Sequence, residues 1–141
     1  MSREPIPLPA REAAFGVGLR REHFRDIVDH HEGVDFFEIL PENFMDFGGR
    51  PMEVLRAVHG KRPVVSHGVS LNIGGPDPLK DDYLRHLANI FAWLDPQRFS
   101  DHLSYSAAFG VEYHDLIPLP FSREAVDHVL ARVHHPVHHG V

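Results

Sequence analysis

Two histidines stand in the same local setting. His67 lies where the run Pro63-Val-Val-Ser-His-Gly-Val-Ser-Leu71 turns polar, and His102 lies late in the shorter run Phe99-Ser-Asp-His-Leu103. Neutral imidazole is a common ligand for zinc, iron and manganese, and two imidazoles delivered by neighbouring strand ends can converge on one ion. Acidic groups occupy comparable places. Glu38 falls at the end of the run Val34-Asp-Phe-Phe-Glu-Ile-Leu40, Glu42 and Asn43 follow it, and Asp101 precedes His102. Glu38, Glu42 and Asp101 are candidates as ligands or as acceptors that orient an imidazole, with Asn43 beside them as a further polar contact. His114, next to Asp115 in the connection after the fourth run, is a candidate for touching substrate. A single histidine in an apolar strand is more often a hydrogen-bonded interior residue than a ligand. The metal reading therefore rests on the pair at matching positions.

Those positions acquire meaning from the elements that must carry them. An apolar run, a polar or Gly/Pro turn and a segment of helical spacing recur four times. Phe15-Gly-Val-Gly-Leu19 precedes a predicted helix over Glu22–His31, with Phe24, Ile27 and Val28 on one face and Gly33 as a C-cap glycine. Val34–Leu40 precedes a short helix that Pro51 opens, faced by Met52, Leu55 and Val58. Pro63–Leu71 leads through Gly74-Gly75-Pro76 to the strongest helical pattern, Leu79 to Leu94. Phe99–Leu103 leads through a long predicted loop to a helix capped by Ser122, with Val126, Val129, Leu130 and Val133 as its stripe.

Strand alternating with helix predicts parallel crossover units of an α/β fold, and reactive groups in such folds sit at the carboxyl ends of strands. The glycine-rich dinucleotide fingerprint is missing, because Gly16-Val-Gly18 continues as Leu-Arg-Arg. A (β/α)8 barrel of about 250 residues allots about 31 to each unit. Four units therefore predict the N-terminal half of a TIM barrel over residues 15–133, with residues 1–14 as an extension and 134–141 as a His-rich tail.

Composition removes several alternatives. A net charge of -6 disfavours a general nucleic-acid binder, and the lack of Cys excludes disulfides and thiolate chemistry. No stretch reaches the roughly 20 apolar residues of a membrane span, and Met1–Pro9 has no signal-peptide core, so a cytoplasmic protein is expected. His23, His30, His31, His59, His86 and His128 fall on predicted helices or their ends, where solvated side chains are expected. The tail His134-His-Pro-Val-His-His139 could bind metal by composition but reads better as a disordered end or as the scar of a lost continuation.

Five motifs occur in order: Phe15-Gly-Val-Gly-Leu-Arg20, Asp35-Phe-Phe-Glu-Ile-Leu-Pro-Glu-Asn-Phe44, Val65-Ser-His-Gly-Val-Ser-Leu71 with Gly74-Gly75, Phe99-Ser-Asp-His-Leu-Ser-Tyr-Ser106 and His114-Asp-Leu-Ile-Pro-Leu-Pro120. Together they resemble the N-terminal half of the multinuclear non-haem iron-dependent oxidative enzymes, which include the methanobactin-biosynthesis oxidase. The resemblance implies a TIM barrel similar to xylose isomerase and endonuclease IV, with two or three iron ions at its mouth. It also implies oxidation of residues, typically cysteine, in ribosomally made precursor peptides, with dioxygen as co-substrate and a peptide-presenting partner protein. His67 and His102 match the first two metal-binding histidines of that family, whose remaining ligands come from the second half of the barrel. A second copy of this chain or a separate second-half chain would then complete the barrel. A non-catalytic half-barrel with at most a weak two-histidine site is the alternative expectation, and a hydrolase or isomerase of the endonuclease IV and xylose isomerase type ranks behind both.

Overall fold

The computed structural model describes residues 7, 8, 10, 13–45 and 48–133. The His-rich tail and most of the N-terminal extension lie outside the described residues. Four parallel strands, β1 (Gly16–Gly18), β2 (Phe36–Ile39), β3 (Val64–Gly68) and β4 (Phe99–Asp101), form one sheet in the order β1-β2-β3-β4. Helices α1 (Phe24–Asp29), α2 (Arg50–Val58) and α3 (Asp81–Leu94) lie between them in sequence, and α4 (Arg123–Val133) comes last. Sequential strands adjacent in one parallel sheet, each followed by a helix, are the half-barrel that the sequence pattern predicts. The chain divides into two compact units. One takes in the residues up to Gly68 together with Asn89–Ser100, and the other takes in Val69–Ala88 and the residues from Asp101.

In the first unit the strand period of two sorts side chains between two faces. Phe37 and Ile39 of β2 and Val64 of β3 are buried with Phe24 and Ile27 of α1, Val54, Leu55 and Val58 of α2, and Ile90 and Leu94 of α3. Each fully buried Phe, Leu or Ile contributes roughly 1.5–3 kcal/mol, so this face holds the sheet to its helices. The opposite face carries Gly16, Gly18, Phe36, Glu38, Val65 and His67, all half-buried or exposed. Register places Gly16 beside Phe36, Gly18 beside Glu38 and Glu38 beside Val65. A Cβ at Gly16 would overlap the Phe36 ring, which explains the missing side chain there. The Ser66 N–H donates to the Arg98 carbonyl and the Gln97 N–H to the Val64 carbonyl, both at 2.8 Å, and so bring β4 alongside β3.

Three local expectations are corrected. The first helix ends at Asp29, its cap being the His30 N–H to the Asp26 carbonyl at 2.7 Å, and Gly33 does not have the positive φ of a C-cap glycine. Arg62 instead ties down the chain after α1 by donating to the carbonyls of His31 and Glu32. His59 and His128, expected in solvent, are structural: His59 Nε2–H donates to the Leu94 carbonyl at 3.0 Å, and His128 Nε2–H to the Gly75 carbonyl at 2.9 Å. The long loop expected after β4 is a β-hairpin in the second unit, β5 (Ser104–Ala108) and β6 (Val111–Pro118). Its two-residue turn, Phe109-Gly110, has φ of +54° and +76°. Positive φ at both central residues is the turn that suits a hairpin's twist, and Asn-Gly or Asp-Gly is its usual signal. Phe-Gly does not carry that signal.

Candidate functional site

His67 is the fourth residue of β3 and lies on the face of the sheet turned away from the helices. Its Nδ1 is 2.8 Å from the hydroxyl oxygen of Ser100 on β4, so both side chains stand on that face. The bond engages Nδ1 and ties the ring to β4. Glu38 shares this face on β2 and is half-buried. Pro41 opens a short 3-10 turn, Pro41–Asn43, directly after β2, and this turn packs beside β3. It brings Glu42 and Asn43 to the carboxyl end of β2, with Glu42 half-buried and Asn43 exposed.

Asp101 and His102 belong to the second unit. Asp101 Oδ2 accepts the Leu71 N–H at 3.4 Å and its Oδ1 accepts the His102 N–H at 2.7 Å. In these bonds the Asp101 carboxylate holds backbone: it shapes the turn that carries His102 and steadies the segment that follows β3. That segment is fixed from other directions too. Asn72, at φ +54°, caps the outer edge of β5: its Oδ1 accepts the N–H groups of Ser106 (2.8 Å) and Ala107 (3.2 Å), and its Nδ2 donates to the Ala107 carbonyl. A Cβ at Gly75 would collide with the Asn72 amide, and one at Gly74 would collide with Leu119 and the Ser104 carbonyl. Arg132 of α4 donates to the carbonyls of Asp77 (2.8 Å) and Asn72 (3.0 Å). Burial lowers the pKa of its guanidinium, opposed by the nearby charge of Asp77.

His114 is on β6 rather than in a loop, and the hairpin is irregular where it sits. Tyr105 pairs with Ile117 and Ala107 with Glu112, so Ser106 alone stands against Tyr113–Leu116. His114, at φ +53°, turns the chain within this bulge, and Asp115 Oδ1 accepts the Leu116 N–H. Bulges bend a strand and re-aim its side chains. Here the bulge places His114 and Asp115 on a cleft of about 330 Å³, lined also by Asn72, Lys80, Tyr83 and Glu112. Lys80 Nζ donates to Glu112 Oε1 at 2.5 Å and holds that carboxyl below its ordinary titration, with a smaller contribution from His114.

Among the described residues no group of three or more His, Cys, Asp or Glu side chains is placed to hold a metal ion.

A sequence profile of the family described as "RiPP precursor modification enzyme MbnB/TglH/ChrH" matches residues 14–138. The chain belongs to that family. Curated relatives of the chain carry the name UPF0276 protein. One from Rhizorhabdus wittichii is 45% identical over 121 residues, which is 84% of this chain and 44% of the relative. One from Caulobacter vibrioides is 44% identical over 84% of this chain and 43% of its own length, and one from Anaeromyxobacter is 46% identical over 87% and 44%. The chain thus spans less than half the length of the curated relatives it matches. The residues that sequence reasoning passed over are Ser100, Asn72, Lys80 and Tyr83. Ser100 was within reach, because it lies two residues before His102, on the strand next to that of His67. The others depend on the hairpin, which the sequence does not announce.

Proposed function

We propose that this chain supplies two metal-binding histidines, His67 and His102, to an iron-dependent oxidase that uses dioxygen to modify residues, typically cysteine, of a ribosomally made precursor peptide. The observation that carries the reading is the family match over residues 14–138, which takes in both histidines. His67 stands on the helix-free face of β3 with Nδ1 engaged by Ser100. Bound iron would supply redox chemistry and coordinate the substrate thiolate. The chain's own contribution is to orient the imidazoles: Ser100 sets the ring of His67, and Asp101 fixes the backbone at His102. Glu38, Glu42 and Asn43 are proposed as contacts around the metal or the substrate, and His114 as a substrate contact from the cleft on β6. The precursor peptide and a peptide-presenting protein are the proposed partners, and the cytoplasm is the proposed compartment. Among the described residues no helix is long and apolar enough to cross a membrane.

Anaerobic titration with Fe(II), followed by paramagnetic broadening of the histidine side-chain NMR signals, tests the ligand assignment. The expected result is selective broadening of His67 and His102 that is lost or strongly weakened in His67→Ala and in His102→Ala. Equal broadening of the remaining histidine in both variants, or broadening confined to other histidines, would overturn it. A second reading is that the chain alone is a scaffold without turnover. Under that reading no oxygen uptake accompanies Fe(II) loading of the isolated chain.

A further inference from the structure

We propose that the cleft of the second unit binds a guanidinium group, the arginine side chain of a peptide, with Asp115 as its anionic contact and Tyr83 as its aromatic wall. That the peptide is the precursor to be modified rests on the function proposed above. The choice of guanidinium does not.

The cleft forms where β6 leaves its ladder. Tyr113–Leu116 stand against Ser106 alone, and His114 holds φ +53° among them. A non-glycine residue in the left-handed region stores strain, and such residues cluster at binding sites, where the surrounding structure keeps them in place. Every residue lining the cleft belongs to the second unit. Lys80, directly before α3, and Tyr83, in its first turn, line it together with Ser106 of β5 and Glu112, His114 and Asp115 of β6. Its volume of about 330 Å³ is at the small end of ligand clefts, which run from roughly 300 to 1,000 Å³. That is room for a side chain rather than for a folded partner.

The polar groups select the ligand. One cationic side chain, Lys80, lines the cleft against two carboxylates, Glu112 and Asp115, and Lys80 is already hydrogen-bonded to Glu112. An anion would have to displace a carboxylate that is in place. Asp115 is not neutralised in this way. Its Oδ1 accepts the Leu116 N–H, and among the described residues its Oδ2 has no hydrogen-bond or ion-pair partner. The His114 imidazole also has no hydrogen-bond partner among the described residues, and in its neutral form one ring nitrogen is an acceptor. The cleft thus offers acceptors and a negative charge. Guanidinium has five N–H donors and no acceptor, its planar fork matches a carboxylate, and its flat face stacks on an aromatic ring. An ammonium group would meet the charge but lacks both the fork and the face.

Titration of the full chain with N-acetyl-arginine amide, followed in amide correlation NMR spectra, tests the site. Saturable shifts are expected in residues 80–83, 106–107 and 112–116. N-acetyl-citrulline amide, which keeps the shape and loses the charge, should bind at least ~10-fold more weakly, and N-acetyl-glutamate amide should leave the spectrum unchanged. Asp115→Asn keeps the oxygen that accepts the Leu116 N–H and should weaken the arginine compound by ~10-fold, in a variant whose unliganded spectrum shows the fold intact. Equal affinity for the arginine and citrulline compounds, preference for glutamate, or shifts lying wholly outside the cleft would each refute the site. None of these measurements uses iron. A chain that binds the arginine compound in the cleft but shows no Fe(II) broadening at His67 and His102 keeps the guanidinium site and loses the assignment to a precursor peptide.

Discussion

Phe109 takes a left-handed conformation, φ +54°, at the tip of the hairpin with 84% of its surface exposed. A bulky residue in that region stores strain of order 1–3 kcal/mol, whereas Asn tolerates it, and little packing is at stake on so exposed a side chain. Phe109→Asn is therefore expected to raise stability by about 1 kcal/mol, seen as a higher urea midpoint with unchanged slope. A lower midpoint would show that the ring is held in place by contacts that outweigh the strain. The same residue explains why the hairpin was illegible: its turn geometry is standard, but the first turn residue is one that turn rules do not flag. The place of His67 near the end of β3 was legible for the opposite reason, because the point where an apolar run turns polar announces a strand end. Its partner Ser100 needed the β3–β4 adjacency before it could be recognised.

At the scale of elements, the segment between β3 and α3 is held by side chains distant in sequence. Arg132 of α4 satisfies the carbonyls of Asn72 and Asp77, and Asn72 in turn caps β5. Arg132→Met keeps the aliphatic bulk and removes both bonds, at a cost of about 2 kcal/mol. Amide exchange should accelerate first in residues 72–77 and in β5. Exchange that rises uniformly over the chain would refute this linkage. A second tie joins Lys80, at the start of α3, to Glu112 on β6. Its hydrogen bond depresses the Glu112 pKa in the folded state, so its stabilising contribution is present above the unfolded titration and lost as pH falls through the lowered one. Both groups are exposed, and the effect on stability is correspondingly small. Lys80→Met should return the Glu112 titration, followed by carboxyl carbon NMR, upward toward 4.5. An unmoved midpoint would remove Lys80 as the cause. Helix positions were legible wherever a stripe or a cap marked them, as at Ser122, whose Oγ accepts the Ala125 N–H at 3.3 Å. The end of α1 was not, because Arg62, thirty residues further on, secures what a C-cap glycine would otherwise have done.

For the whole molecule, the half-barrel pattern was legible because four apolar runs, each followed by a helical stripe, leave few ways to arrange a parallel sheet. The candidate site was legible only in part: strand-end logic selects His67 and His102 as candidates, and among the described residues no cluster of three or more donors joins them. Among the described residues β1 and β4 are edge strands and the valines of α4 are exposed, which is a hazard because unpaired strands are templates for other chains. The irregularity in β6 bears on that hazard. Another strand that began to zip onto Val111 and Glu112 would meet the bulge at Tyr113–Leu116 within two residues and lose its hydrogen-bonding frame before reaching Ile117. The turn of backbone that presents His114 to its cleft thereby also limits edge-to-edge aggregation along β6, the longest strand among the described residues.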